Sequence, residues 1–118
     1  AVLGRCRSGQ PVPFDIAAML LQQCAKGLHY AHEMRDVDGR SIGLVHRDVN
    51  PINIFVTYHG VVKILDFGVV GGDSGYKSLP GVFKGKYAYC APEQIEGVGI
   101  DRRSDVFSLG IEKFILGN

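Results

Sequence analysis

The sequence predicts an α+β fold, mostly helical with one small β-hairpin. Three observations carry this reading. Apolar residues recur at three- and four-residue steps from Ile16 to Ala31, two β-branched runs flank Tyr58-His59-Gly60, and helical patterning returns from Asp105 to Leu116. The 118 residues are 46% hydrophobic and 21% charged, which suits one small globular domain or a piece of a larger one and excludes a disordered chain.

Residues 1–13 are punctuated by Gly4, Gly9, Pro11 and Pro13 and read as a short helix end followed by a loop. Asp15 is the expected N-cap of the first full helix. Its apolar face is expected to run through Ile16, Met19, Leu20, Gln23, Cys24, Gly27, Leu28 and Ala31, ending near His32 or Glu33. Asp36-Val37-Asp38-Gly39 is a turn signal, and Arg40 to Gly43 continue a polar loop, so this stretch is expected as a surface hairpin or loop. Leu44-Val45 reads as a very short strand. Asn53 to Thr57 and Val61 to Leu65 are the arms of a hairpin, with Gly60 supplying the positive φ of its turn. The glycine-rich stretch 68–86 is expected to be a mobile loop.

The net charge of +1 gives no argument for a nucleic-acid or membrane partner, and no apolar run approaches the roughly 20 residues of a spanning helix. Cys6, Cys24 and Cys90 lack the close pairing of a metal or redox site and read as buried free thiols in a reducing compartment, with the cytoplasm as the expected location. The chain starts at Ala1 with no secretion leader, and a fragment or processed product is expected.

The chemistry is concentrated in His46-Arg47-Asp48-Val49-Asn50-Pro51-Ile52-Asn53, followed by Asp66-Phe67-Gly68, Ala91-Pro92-Glu93 and Ser104-Asp105-Val106-Phe107-Ser108-Leu109-Gly110. In this order and at these distances the motifs resemble the central part of a eukaryotic-type serine/threonine protein kinase, most like the bacterial branch. Each tripeptide alone is weak, since Asp-Phe-Gly is a common turn; the ordered set is specific. The resemblance covers nearly all of residues 1–118 and implies a partial large lobe: catalytic loop, activation loop and the start of the following long helix. It also implies ATP and Mg2+ as cofactors and a protein hydroxyl as substrate.

Phosphoryl transfer needs an oriented hydroxyl, cations over the phosphates and in-line geometry. The resemblance makes Asp48 the base that accepts the hydroxyl proton, and Asn53 and Asp66 the magnesium ligands, hard oxygen donors at the two open ends of the hairpin. It makes Arg47 a clamp for a phosphorylated activation loop, with Ser78 preferred over Ser74 and Tyr76 as acceptor. Gly71 stands where relatives carry a basic residue, against that regulation. Asp105 is expected to receive backbone hydrogen bonds from the catalytic loop, with His32 in the same network. Glu93 is expected to pair with an arginine that this chain does not reach.

Two departures fall where the family contacts the transferred phosphate: Asn50 in place of the usual lysine, and Lys86 in place of the usual threonine. One reading is an exchange in which Lys86 supplies the cation; the other is a weakened enzyme with Lys86 a solvated loop lysine. No glycine-rich loop or lysine-bearing strand precedes the segment, so the resemblance implies helix faces over 16–31 and 105–116 short of partners. It also leaves two functions open: a stretch of an active ATP-dependent kinase, or an inactive remnant that serves as a binding or scaffold piece. Kinase-like enzymes acting on small molecules are disfavoured by the Ala-Pro-Glu segment.

Overall fold

Helix α1, Phe14–His32, starts on a proline whose φ of −52° is already helical in sense, and Ala17 N–H donates to the Pro13 carbonyl at 2.9 Å. The computed structural model of the chain describes residues 12–67 and 87–116, with side chains as far as Ile111. The loop expected over 68–86 lies outside these residues. Asp15, expected as the N-cap, sits instead inside the first turn, because Pro13 takes the cap position with no side-chain bond. There its carboxylate still complements the positive end of the helix.

The buried stripe of α1 is Ala17, Leu20, Cys24, Leu28 and Ala31. Ile16 and Met19, expected inside, lie toward the outer edge, and Met19 is exposed. The reason is that α1 is covered from two sides, by the hairpin and by the last helix, and these meet over the Ala17–Ala31 line.

After α1 the chain makes the expected surface hairpin: Arg35 bridges Ser41, and the Asp36 carboxylate accepts from the N–H groups of Asp38 and Arg40. Pairing stops once Ile42 N–H has bonded the Met34 carbonyl. Leu44-Val45 is therefore not a strand; among the described residues it has no ladder partner, whatever its apolar character.

Strands β1 (Ile54–Val56) and β2 (Val62–Ile64) pair antiparallel, with Ile54 opposite Ile64 and Val56 opposite Val62. Gly60 turns the chain at φ +78°, and Thr57 closes the turn through its backbone N–H to the Val61 carbonyl and its hydroxyl oxygen to Val61 N–H. Gln23 on α1 accepts from Val62 N–H, which pins the hairpin to the helix.

Helix α2 is short, Pro92–Glu96, and ends on Gly97 in the left-handed region at φ +73°. Helix α3, Arg102–Leu116, starts three residues before the expected Asp105, because Asp101 accepts from Arg103 N–H at 2.8 Å and caps it. Cys24, Leu28, Val49 and Leu109 form the core, with Leu21, Ile54, Val62, Ile64 and Phe67 packed around it. Through Leu109, α3 covers part of the α1 face expected to lack partners, while Phe14, Tyr30, Val106 and Phe107 remain exposed. Val49 is the link to chemistry: a fully buried plug between Asp48 and Asn50, worth about 1.5–3 kcal/mol, that anchors the loop in the core. No helix among the described residues is long and apolar enough to cross a membrane.

Candidate active site

The Asp48 carboxylate is gripped on both oxygens. Asn50 Nδ2 donates to Oδ1 at 2.9 Å, and Asn53 Nδ2 donates to Oδ2 at 3.1 Å. Both amides also reach the Asp48 carbonyl, at 3.0 and 2.9 Å. A carboxylate has about four lone-pair directions, so these two amides do not exhaust its capacity to accept a proton. Asn50 is buried and plays a third part, since its Oδ1 accepts from Ile52 N–H and caps the 3₁₀ turn Pro51–Asn53 that delivers Asn53.

His46 ties this loop to the second motif. Its ring is fully buried; Nε2 faces the Leu65 carbonyl at 2.8 Å, and Nδ1 accepts from Asp48 N–H at 3.2 Å. A carbonyl only accepts, so these partners select the neutral tautomer with the proton on Nε2. Phe67 meets the same ring edge-on, with centroids 4.5 Å apart. Leu65 N–H bonds the Asn53 carbonyl at 2.8 Å, so Asp66 begins where the hairpin closes beside Asn53. The Asp66 backbone is left-handed at φ +57° and its side chain is exposed.

Behind the loop stands Asp105, 1% exposed. Its Oδ2 accepts from His46 N–H (2.8 Å) and from His32 Nε2 (2.7 Å), and its Oδ1 accepts from Arg47 N–H (2.8 Å). Both the expected backbone bonds and the expected His32 contact are present. The Arg47 side chain is exposed, on a backbone at φ +66°. Lys86, with Gly71, Ser74, Tyr76 and Ser78, lies outside the described residues.

Glu93, expected to want an arginine, has a different partner: Ser104 Oγ–H donates to its Oε1 at 2.7 Å. That bond is the main cause holding the Glu93 carboxyl below its ordinary value. A lowered carboxyl adds stability above its unfolded pKa and loses it as pH falls through the folded one. The stability gap between wild type and Ser104→Ala should therefore be full at neutral pH and shrink below about pH 4.5. Urea midpoints across that range measure it, and a pH-independent gap overturns the pairing. The sequence reading also missed Gln94, whose Nε2 donates to the Arg47 carbonyl at 2.9 Å. Nothing local in the sequence signals a contact between segments so far apart.

A hard-cation site fits these residues. Asn53 spends its Nδ2 on Asp48, while its Oδ1 and the Asp66 carboxylate have no protein partner among the described residues.

Comparison with known proteins agrees with the geometry. The family model described as protein kinase domain matches residues 5–116. The tyrosine-protein kinase MasK of Myxococcus xanthus is 44% identical over 104 residues, covering 87% of this chain and 16% of that protein. A probable serine/threonine-protein kinase of Clostridium perfringens is 39% identical over 101 residues (85% of this chain, 14% of the relative). Serine/threonine-protein kinase A of Synechocystis is 36% identical over 107 residues (86% and 20%). The chain thus spans 14–20% of the length of these relatives. With the family model matched over nearly its whole length, and Asp48 held by two asparagines as described, the chain belongs to the protein kinase domain family.

Proposed function

We propose that these residues are the catalytic segment of an ATP-dependent serine/threonine protein kinase, moving the γ-phosphoryl group of ATP to a protein hydroxyl in the cytoplasm. The observation that carries this reading is the Asp48 carboxylate, held on both oxygens by the amides of Asn50 and Asn53. So held, Asp48 orients a substrate hydroxyl and takes its proton as the hydroxyl oxygen bonds phosphorus and ADP leaves. Asn53 Oδ1 and Asp66 would hold magnesium, which when bound neutralises charge on the phosphates. The Asn50 side chain is engaged with Asp48 and Ile52 N–H, which favours Lys86 as the cation near the transferred group, and the exposed Arg47 side chain serves as the loop clamp.

A second acceptor, tyrosine, is favoured by the likeness to MasK, which is named a tyrosine kinase. Phosphoamino-acid analysis of a protein substrate labelled by the full-length gene product separates the two. Absence of any Mg-ATP-dependent labelling supports the inactive binding or scaffold reading instead.

The metal assignment has its own test. Asn53→Ala should raise the Mg2+ concentration needed for half-maximal nucleotide binding by about tenfold or more. An unchanged magnesium titration removes Asn53 from the site.

A further inference from the structure

Arg47 and Asp66 are the two non-glycine residues with positive φ among the described residues. A left-handed backbone costs an L-residue about 1–2 kcal/mol and persists only where its surroundings over-determine it. For Arg47 those surroundings come from two helices. Asp105 on α3 accepts its N–H at 2.8 Å, and Gln94 on α2 donates Nε2–H to its carbonyl at 2.9 Å.

The Gln94 amide is itself fixed. Its Oε1 accepts from Ala91 N–H at 3.1 Å, so a flipped amide would set oxygen against the Arg47 carbonyl and nitrogen against the Ala91 N–H. The Arg47 carbonyl belongs to the same peptide plane as Asp48 N–H, which donates to His46 Nδ1. That plane is therefore clamped at both ends, by Gln94 on oxygen and His46 on nitrogen, one bond away from the Asp48 Cα.

We infer that Gln94 is a positioning residue for the catalytic aspartate, setting the peptide plane from which the Asp48 side chain departs and coupling α2 to the base. Asn50 and Asn53 then fix the carboxylate relative to that plane. This inference rests on Asp48 being the base.

The test compares wild type, Gln94→Met, Gln94→Glu and Asp48→Asn in the full-length gene product, by steady-state kinetics with Mg-ATP and a protein substrate. Gln94→Met keeps the length and removes both hydrogen bonds; kcat should fall about threefold to tenfold with KM for ATP unchanged. Gln94→Glu should fall further at pH 8, where a carboxylate oxygen faces the Arg47 carbonyl. As pH is lowered toward about 5.5, its kcat relative to wild type should rise, because the protonated acid regains a donor. The Gln94→Met ratio should stay flat over the same range. A purely structural role lowers the melting temperature but leaves kcat and these ratios unmoved, and that result overturns the inference. If Asp48→Asn turns over like wild type, the base assignment falls and the inference with it. An inactive Asp48→Asn beside a fully active Gln94→Met sinks the inference alone.

Discussion

Asp48→Asn should lower the turnover of the full-length gene product by about 10²- to 10⁴-fold while leaving nucleotide affinity within about twofold. The substitution keeps the shape and removes the basic oxygen. It also creates a conflict, because both Asp48 carboxylate oxygens now face amide donors, Asn50 Nδ2 at 2.9 Å and Asn53 Nδ2 at 3.1 Å. Whichever way the new amide turns, its NH2 meets an NH2, and the loop loses one hydrogen bond, about 1 kcal/mol. A melting curve reads this second effect apart from catalysis. It is small beside the kinetic one, since the Val49 plug and the Asp105 bonds hold the loop independently. Single-turnover transfer from Mg-ATP, with fluorescent-nucleotide binding as control, measures both; turnover within tenfold of wild type removes Asp48 from the base role.

What the sequence made legible follows from the range of each interaction. Helix α1 and the hairpin rest on local periodicity and on Gly60, so both were readable and differ from expectation only at their edges. Helix α2 has five residues, too few to show a period, although Pro92 followed by an acidic residue is a start signal. Asp101 was likewise a readable cap for α3. Leu44-Val45 failed as a strand because a strand needs a partner, which composition does not supply. Asn50 is the most instructive case. Beyond its part in the proposed charge exchange, it is a buried amide holding Asp48 and capping the next turn, and Asn-Pro is a known turn pair that pointed that way. Asp105 was readable only through the family resemblance, since its partners His46 and Arg47 lie far back in the chain. Gln94 to Arg47 was readable by neither route.

Asp105→Ala should destabilise the fold by about 3–5 kcal/mol, a large share of the roughly 5–15 kcal/mol available to a domain. The side chain is 1% exposed, and three donors converge on it: His46 N–H, Arg47 N–H and His32 Nε2. Alanine leaves all three without this acceptor, at about 1–3 kcal/mol each before relaxation. Among the described residues the strained Arg47 backbone then keeps only the Gln94 bond, so part of the loss is recovered by Arg47 leaving the left-handed region. That relaxation is what makes the variant informative. A protein that survives as Asp105→Ala should fold with a rotated Arg47–Asp48 peptide, so its turnover should fall well beyond what lost stability explains at a temperature where it remains folded. Asp105→Asn, which keeps one acceptor oxygen, should fall between. Urea unfolding of the three proteins gives the stability order, and a loss below about 1 kcal/mol for alanine would mean that the catalytic loop is held by its apolar plug and not by this carboxylate.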